Sequence, residues 1–190
     1  MTEPIPYYPR SFTPPARLLD VPSAWRGIES ALTAIFSDFR TLPGLCLELG
    51  VDYGYSTAAL SNFFFNTIAV DTFQSDPQTG YRDSDQFERV AGLLADYPVT
   101  LIRMDARQWV AQSAEGRYAC CHIDLYHDYD LTYLTAKWAV AHADLVLLHD
   151  TEAFAEVKKA CADVAEESGY RFYNWSAHFG LGILSKDGLR

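Results

Sequence analysis

Acidic side chains follow five short apolar segments of the sequence, at the points where predicted strands end. A single acid at such a point usually caps a helix, but acids at every strand end would crowd like charges along one edge of a sheet. Ligands of open α/β sheets bind outside the carboxyl ends of the strands, so this pattern indicates a binding site. The residues are Glu48, Asp71, Asp105, Asp124 and the pair His149–Asp150.

The stretch LCLELGVDYGYST, residues 45–57, predicts a buried strand, a turn with two glycines and the start of a helix. Gly54 lets the turn pass close to a ligand, and Ser56 or Thr57 can cap a helix over 58–65. The pattern G-x-G-x-x-G is absent, so a pyrophosphate lacks its usual cradle. Glu48 beside the turn would suit a ligand that carries an amine.

Two further stretches, HIDLYHDY and LLHDTEAF, bring together residue types for proton transfer or metal binding. His127 has an unperturbed pKa of about 6.5 and is a candidate base, although a histidine on a loop is often only a surface residue. Asp124 and Asp150 offer oxygen ligands to an ion such as magnesium, and His149 would shift the preference towards manganese, iron or zinc. Alternatively, these side chains only hydrogen-bond each other and the substrate.

Predicted strands and helices alternate after residue 44, which is typical of a parallel sheet with helices on both faces. No helix is predicted between the last two strands, so the last strand should be antiparallel. The sequence therefore predicts an α/β fold with a seven-stranded, mostly parallel sheet. The predicted strands are 45–49, 67–71, 99–103, 118–124, 144–149, 170–175 and 180–185, and the predicted helices are 22–39, 58–65, 84–96, 106–112, 129–141 and 155–168.

The first 21 residues form a proline-rich arm with interspersed aromatic residues, ahead of a single domain over 22–190. Such a segment cannot be a regular helix. It is either a disordered tail or a strap that packs over a site or onto a second subunit, in which case the protein would form a homodimer. The arm itself, the loop 74–85 and residues 153–154 are the candidate determinants of ligand choice.

Composition restricts the class of protein. Hydrophobic residues make up 49% and charged residues 21% of the chain, as in a globular domain. The net charge of −10 and the lack of a basic run lead us to expect neither a nucleic acid partner nor an anionic membrane. With no visible signal peptide and no apolar run that could span a bilayer, we expect a cytoplasmic protein. Its four cysteines are then reduced thiols.

The residues E-L-G-x-x-x-G-Y-S resemble the first motif of class I S-adenosylmethionine-dependent methyltransferases, in the wording of the catechol O-methyltransferase branch. HIDLYHDY is similar to the D-G-x-H-x-Y signature of the methyltransferase domain 24 group. Two features depart from that group: Leu125 replaces its common glycine, and residues 141–143 replace a Pro-Gly-Gly turn. Against the catechol enzymes, Asp124 falls on a metal-ligand aspartate and His127 on the catalytic lysine.

This resemblance implies a Rossmann-like methyltransferase fold that binds S-adenosylmethionine. The glycine turn would hold the methionine part of the cofactor, Asp71 the ribose hydroxyls, and residues near Asp105 the adenine. Asp105 could equally cap the helix 106–112, or do both. The implied cofactor-binding residues are Glu48, Gly50, Gly54, Tyr55, Ser56, Asp71, Thr72, Phe73, Asp105, Ala106 and Asp124.

The sequence therefore predicts an enzyme that transfers a methyl group to an oxygen or nitrogen of a small molecule. His127, Asp124 and Asp150 are its candidate catalytic residues, and magnesium or manganese is a candidate cofactor held by Asp124, Asp150 and His149. Two alternatives stay open. One is an NAD-dependent oxidoreductase, and the other is a non-catalytic binding protein that kept the cofactor fold.

Overall fold

The computed structural model describes residues 3–74, 86–113 and 116–189, which form one sheet flanked by helices. The strands are β1 Ile5–Pro6, β2 Leu45–Leu49, β3 Asn66–Asp71, β4 Val99–Arg103, β5 Tyr118–Ile123, β6 Ala143–His149, β7 Arg171–Trp175 and β8 Leu181–Ser185. The helices are α1 Leu32–Asp38, α2 Tyr55–Leu60, α3 Phe87–Leu94, α4 Ala106–Gln112, α5 Tyr129–His142 and α6 Ala155–Ser168, and a 3₁₀ turn, Glu29–Ala31, precedes α1.

Within the described residues the sheet has eight strands in the order β1-β7-β8-β6-β5-β2-β3-β4. Strand β8 runs antiparallel to both of its neighbours, β6 and β7, and the other strand pairs are parallel. The predicted α/β fold with an antiparallel last strand is confirmed. The strand beyond the seven predicted ones is β1, which pairs with the outer edge of β7.

Helix boundaries follow local backbone chemistry. Asp105 caps α4 by accepting from Arg107 N at 2.7 Å, and Asp128 caps α5 by accepting from Leu131 N at 2.8 Å. Gly169 ends α6 in the left-handed region, with a φ of +72°. These helices begin within one residue of the positions that the sequence predicts. The first part of the predicted helix 84–96, and the predicted loop 74–85 beyond residue 74, lie outside the described residues.

The predicted helix over 22–39 is wrong in its first half. Gly27 has a φ of +103°, which interrupts a helix, and a Cβ at this position would lie 2.1 Å from the ring of His178. The segment therefore turns tightly against the β7–β8 connection before α1 begins at Leu32. Helix α2 also differs from prediction: it begins at Tyr55, directly after the left-handed Gly54.

The described part of the arm packs on the domain. Tyr7 is buried, donates its hydroxyl to Asp38 Oδ2 at 3.0 Å, and donates its backbone N–H to the carbonyl of Asn174 at 2.9 Å. Farther along, the Arg17 guanidinium lies over the ring of Tyr97 at 4.2 Å and donates to the carbonyl of Asp96. Contacts of these two residues are those expected of a strap that packs on its own domain.

The centre of the sheet is apolar on both faces. Every residue of β5 is buried, as expected for a strand covered by helices on both sides. The four cysteines, Cys46, Cys120, Cys121 and Cys161, are buried free thiols. Among the described residues no helix has the length and apolar character needed to cross a bilayer.

Candidate active site

A cavity of about 750 Å³ opens at the carboxyl ends of strands β2 to β6. This is the edge at which open α/β sheets bind ligands. A second cavity of about 740 Å³ lies at the opposite edge, beside Arg117 and Asp144, and contains none of the predicted site residues. The first cavity gathers most of them: Gly50, Tyr55, Ser56, Asp71, Thr72, Phe73, Asp105, Ala106, Asp124, His127, His149 and Asp150.

Glu48 and Gly54, by contrast, do not line the cavity. The side chain of Glu48 is fully enclosed, and its two oxygens accept from Ser56 Oγ at 2.6 Å, from Thr57 Oγ1 and from His122 Nδ1 at 3.0 Å. The expected contact between this carboxylate and a ligand amine is therefore unsupported, because protein donors occupy it. The hydroxyls of Ser56 and Thr57 donate to Glu48, and neither side chain caps a helix as predicted.

Asp71 binds the turn that follows β2. Its Oδ2 accepts from the backbone N–H groups of Val51 at 2.7 Å and Asp52 at 3.2 Å, and its Oδ1 accepts from Phe73 N at 2.7 Å. A carboxylate offers about four lone-pair positions, so these contacts use most of them. The carboxylate still borders the cavity, and it orders the backbone on which a ligand would lie.

The turn after β2 makes an unusually close approach to the loop after β5. Gly50 has a φ of +93°, and a Cβ there would lie 1.8 Å from the carbonyl oxygen of Asp124. No side chain fits this space. Gly54 has a φ of +84° and packs on Val90 and Leu94 of α3, so it fixes the turn from behind.

Aromatic and apolar side chains line the part of the cavity at the ends of β3 and β4. Phe73 is 3% exposed, has a φ of +56° and packs edge-on against Phe87 with ring centroids 5.0 Å apart. A non-glycine residue in this backbone region carries strain, which is common at ligand sites. Asp105 caps α4, which is one of its two predicted roles. It also borders the cavity, as a residue near the adenine would have to.

Two carboxylates and two imidazoles form one cluster where β5 and β6 end. His127 Nε2 lies 2.7 Å from Asp150 Oδ2 and 3.8 Å from Asp124 Oδ1. His149 Nδ1 lies 3.1 Å from Asp124 Oδ2 and 3.4 Å from Asp150 Oδ2. Each histidine therefore contacts both acids. The predicted catalytic residues come together here, because both loops leave the same edge of the sheet.

The second ring nitrogen of His149 lies 3.1 Å from the carbonyl oxygen of His178. Both nitrogens thus face acceptors, and only the protonated imidazolium can donate to both. Burial alone would lower the pKa of His149, but the charge of Asp124 and the hydrogen bond to it outweigh burial and raise that pKa. The surroundings of His149 thus favour its charged form, and its contact with Asp124 fixes the position of that carboxylate.

The same cluster shifts the pKa values of His127 and Asp124. Burial opposes the charged form of His127, yet the hydrogen bonds to Asp124 and Asp150 prevail and raise its pKa to about 9. Removal from water would raise the pKa of Asp124, but the His149 charge and the bonds from both imidazoles hold it well below its usual range. His127 is thus mainly charged at neutral pH, because its two carboxylate neighbours favour the charged form.

The donor atoms of Asp124, His127 and Asp150 lie within 4.8 Å of one another, a spacing that one metal ion could bridge. Metal binding would need a neutral His127. In this arrangement the charged ring of His127 already lies between the two acids, and His149 has both nitrogens engaged. These side chains are better suited to pairing with each other than to binding a metal ion, so the predicted magnesium or manganese gains no support. His149 is not a suitable ligand, because both of its nitrogens already have partners.

Several residues that line the cavity are not among the predicted site residues. Trp25 borders it from the first half of the predicted helix over 22–39, and Met104 and Tyr126 border it from the loops after β4 and β5. Tyr126 lies within HIDLYHDY, directly before His127, so its place in the chain could have indicated it. Nothing in the pattern around Trp25 distinguishes it from a core residue.

The fold has counterparts among solved structures. The N-methyltransferase NodS from Bradyrhizobium japonicum is 12% identical, with a TM-score of 0.58 over 87% of this chain and 97% of that one. The methyltransferase PaMTH1 from Podospora anserina, solved with SAH, is 13% identical, with a TM-score of 0.59 over 82% and 78%. The 16S rRNA N2 G1207 methyltransferase RsmC from T. thermophilus, in complex with AdoMet and guanosine, is 16% identical, with a TM-score of 0.65 over 94% and 50%.

No family model and no curated protein sequence matches the chain. At these identities the structural likeness establishes the fold alone. That fold is the Rossmann-like fold of class I S-adenosylmethionine-dependent methyltransferases, with the antiparallel last strand that the sequence predicts.

The expectation that excluded a nucleic acid partner is wrong. Proteins of this fold include the rRNA methyltransferase above and the fibrillarin pre-rRNA processing protein of Methanococcus jannaschii, which is 11% identical with a TM-score of 0.52 over 77% and 67% of the two chains. A net charge of −10 does not exclude such a partner, because net charge sums over the whole chain, whereas substrate contacts depend on the charge near the site.

Proposed function

We propose that the protein is an S-adenosylmethionine-dependent methyltransferase of the domain 24 or catechol O-methyltransferase type. One observation carries the proposal. A single cavity joins the glycine turn after β2 to the Asp124–His127–Asp150 cluster, at the edge of a sheet with the methyltransferase fold. A cavity of about 750 Å³ is within the usual range of about 300–1,000 Å³ for small-molecule sites.

In this proposal the two ends of the cavity have separate tasks. The backbone of the turn, together with Asp71, receives the methionine and ribose parts of the cofactor. Phe73 and Ala106 flank the adenine. When bound, the cofactor would supply a methyl group whose bond to sulfur breaks as the acceptor atom takes it, which leaves S-adenosylhomocysteine. His127 is the candidate base for the proton of the acceptor atom.

The acceptor atom in the proposal is an oxygen or a nitrogen of a small molecule. The cluster supports this choice because its imidazole and carboxylate groups lie beside the cavity, where they can take up the proton that a hydroxyl or an ammonium group releases. RNA methyltransferases share the fold, so RNA is the second acceptor class that the assay has to include.

Calorimetric titration with S-adenosylhomocysteine and with NAD tests the cofactor. We expect binding of S-adenosylhomocysteine with a dissociation constant of the order of 1 µM, near −8 kcal/mol, and no binding of NAD. Binding of NAD alone would favour the oxidoreductase. Binding of S-adenosylhomocysteine without methyl transfer to any acceptor would favour the non-catalytic binding protein.

Transfer of a labelled methyl group to panels of phenols, amines and RNA then tests the acceptor. The expected product is a methylated small molecule, and label recovered only in RNA would overturn the small-molecule acceptor. The same assay with a chelator present tests the metal. We expect full activity in the chelator, whereas loss of activity that magnesium or manganese restores would establish a metal-dependent reaction.

A further inference from the structure

A buried chain of hydrogen bonds runs beneath the cavity and connects two of its lining residues. Ser56 lines the cavity from α2 and donates to Glu48, while Trp25 lines it from the segment before α1 and donates its indole N–H to His122 Nε2 at 3.1 Å. Glu48 and His122 complete the chain at 3.0 Å. Both are 0% exposed, on neighbouring strands β2 and β5, and they are direct register partners.

The donor chemistry fixes the direction of each bond. An indole N–H can only donate, so Nε2 of His122 must carry no proton and must accept from Trp25. The ring proton therefore sits on Nδ1 and is donated to Glu48. Glu48 also accepts the hydroxyls of Ser56 and Thr57, in the first turn of α2. His122 is the sole group among the described residues that contacts both Trp25 and Glu48 through hydrogen bonds.

We infer that His122 is a positioning residue, which in its Nδ1–H form holds the cofactor turn and the cavity wall at Trp25 in one fixed arrangement. Buried polar groups that satisfy each other fully specify a single geometry, and loss of one partner leaves the others unpaired. Trp25 also packs edge-on against the ring of His122, with centroids 5.1 Å apart. This positioning role rests on the proposed function only where it is tested through the affinity for S-adenosylhomocysteine.

Two substitutions separate the two bonds of His122. In shape, an asparagine amide overlaps Nδ1 of histidine and a glutamine amide reaches the place of Nε2. His122→Asn therefore keeps the hydrogen bond to Glu48 and removes the one from Trp25. His122→Gln keeps the hydrogen bond from Trp25 and removes the one to Glu48. Trp25→Phe keeps an aromatic ring and removes the N–H. The matched control is Cys121→Ala, which is equally buried on the same strand but points to the opposite face.

Nitrogen-15 NMR of the ligand-free protein tests the arrangement independently of any cofactor. We expect His122 to carry its proton on Nδ1. His122→Asn should move the indole signal of Trp25, which Trp25→Phe identifies, and leave the Ser56 and Thr57 amide signals near their positions. His122→Gln should instead move the Ser56 and Thr57 amide signals and leave the Trp25 indole signal near its position. A proton on Nε2 in the wild type, or the same pattern in both variants as in Cys121→Ala, would overturn the inference.

Affinity for S-adenosylhomocysteine tests the consequence for binding. We expect about a tenfold loss in His122→Gln, since an unpaired buried Glu48 loosens the turn, a smaller loss in His122→Asn and a change within about twofold in Cys121→Ala. Equal affinities in His122→Gln and Cys121→Ala would refute the positioning role. Absence of binding in the wild type would refute the proposed function instead, and the ligand-free spectra would still decide the inference.

Discussion

The imidazole of His127 lies with Nε2 2.7 Å from Oδ2 of Asp150, and its ring stacks on Phe154 at a centroid distance of 4.0 Å. Asp150 reaches this position from a left-handed backbone conformation, with a φ of +64°, directly after β6. Such a conformation costs of the order of 1–3 kcal/mol in a non-glycine residue. The fold therefore accepts local strain at the residue that fixes the candidate base.

The first prediction concerns the pH dependence of methyl transfer. Because only neutral imidazole accepts a proton, the rate should rise with pH through about 9, the raised pKa of His127, and not through the ordinary histidine value of about 6.5. Single-turnover rates between about pH 6 and 10 measure this midpoint. His127→Ala should lower kcat by about 10²–10⁴-fold and leave the affinity for S-adenosylhomocysteine nearly unchanged.

Two outcomes would count against the base assignment. A His127→Ala variant with the wild-type pH profile would show that another group accepts the proton. A rate that rises through about 6.5 would show that the contacts with Asp124 and Asp150 do not persist in the complex. Asp150→Asn is the matched control, because removal of one carboxylate should lower the midpoint without removing the imidazole.

The second prediction concerns stability. The pKa of His127 is raised on folding, so its contribution is fully present below the unfolded value of about 6.5 and is lost as pH rises through about 9. The shift corresponds to the order of 3 kcal/mol. Urea unfolding should show wild type more stable than His127→Gln at about pH 6 and equally stable near pH 10. A pH-independent difference would exclude the ion pair as its cause.

The contribution of Asp124 to stability depends on pH in the opposite direction. Its pKa is lowered on folding, so its contribution is present above the unfolded value of about 3.9 and is lost as pH falls below that value. The same urea series extended to acid should therefore show the wild type lose stability more steeply than Asp124→Asn. Parallel curves would mean that Asp124 is not charged against His149 in the folded protein.

The sequence predicts the sheet well because burial dictates it. Parallel strands covered on both faces have to be apolar, as β5 and β6 are, and capping residues such as Asp105 and Gly169 mark helix ends locally. Strand β1 has no such signal. It is a two-residue edge strand that includes a proline, and its pairing with β7 depends on residues far along the chain.

The site is predictable in its outline but not in its pairings. Acids at strand ends identify the correct edge of the sheet, since parallel strands end together. Whether an acid faces a ligand depends on its neighbours. The carboxylate of Glu48 is fully hydrogen-bonded to Ser56, Thr57 and His122, and His122 is 74 residues away in the sequence. Likewise, the pKa of His127 depends on Asp150, which the sequence separates from it by a whole helix and strand.

The third prediction concerns Asp71, which holds the turn after β2 through Val51 and Asp52. Asp71→Ala removes these acceptors and the candidate ribose contact, so the affinity for S-adenosylhomocysteine should fall by about 1–3 kcal/mol in calorimetry. Asp144→Ala is the control, since Asp144 pairs with Arg117 beside the cavity at the opposite edge. Equal affinity in Asp71→Ala and wild type would remove Asp71 from the binding site.

The last prediction concerns Gly50, where the turn after β2 touches the loop after β5. A Cβ would lie 1.8 Å from the carbonyl oxygen of Asp124, and a φ of +93° disfavours any side chain. Gly50→Ala should therefore destabilise the protein by more than about 3 kcal/mol, because backbone has to move and strain adds to the clash. Equilibrium urea unfolding, or failure to fold at all, would register this loss.

Two other glycines calibrate that result. Gly54→Ala meets only side-chain atoms, at 3.1 Å from Leu94 Cδ1, with a φ of +84°, so it should lose less stability than Gly50→Ala. Gly92 lies exposed in α3, where no atom of the described residues comes within 4 Å of the position that a Cβ would take. Gly92→Ala should therefore gain about 0.5–1 kcal/mol from helix propensity alone. If Gly50→Ala were as stable as Gly92→Ala, the two loops could not touch as described, and the cavity that joins the turn to the His127 cluster would lose its shared wall.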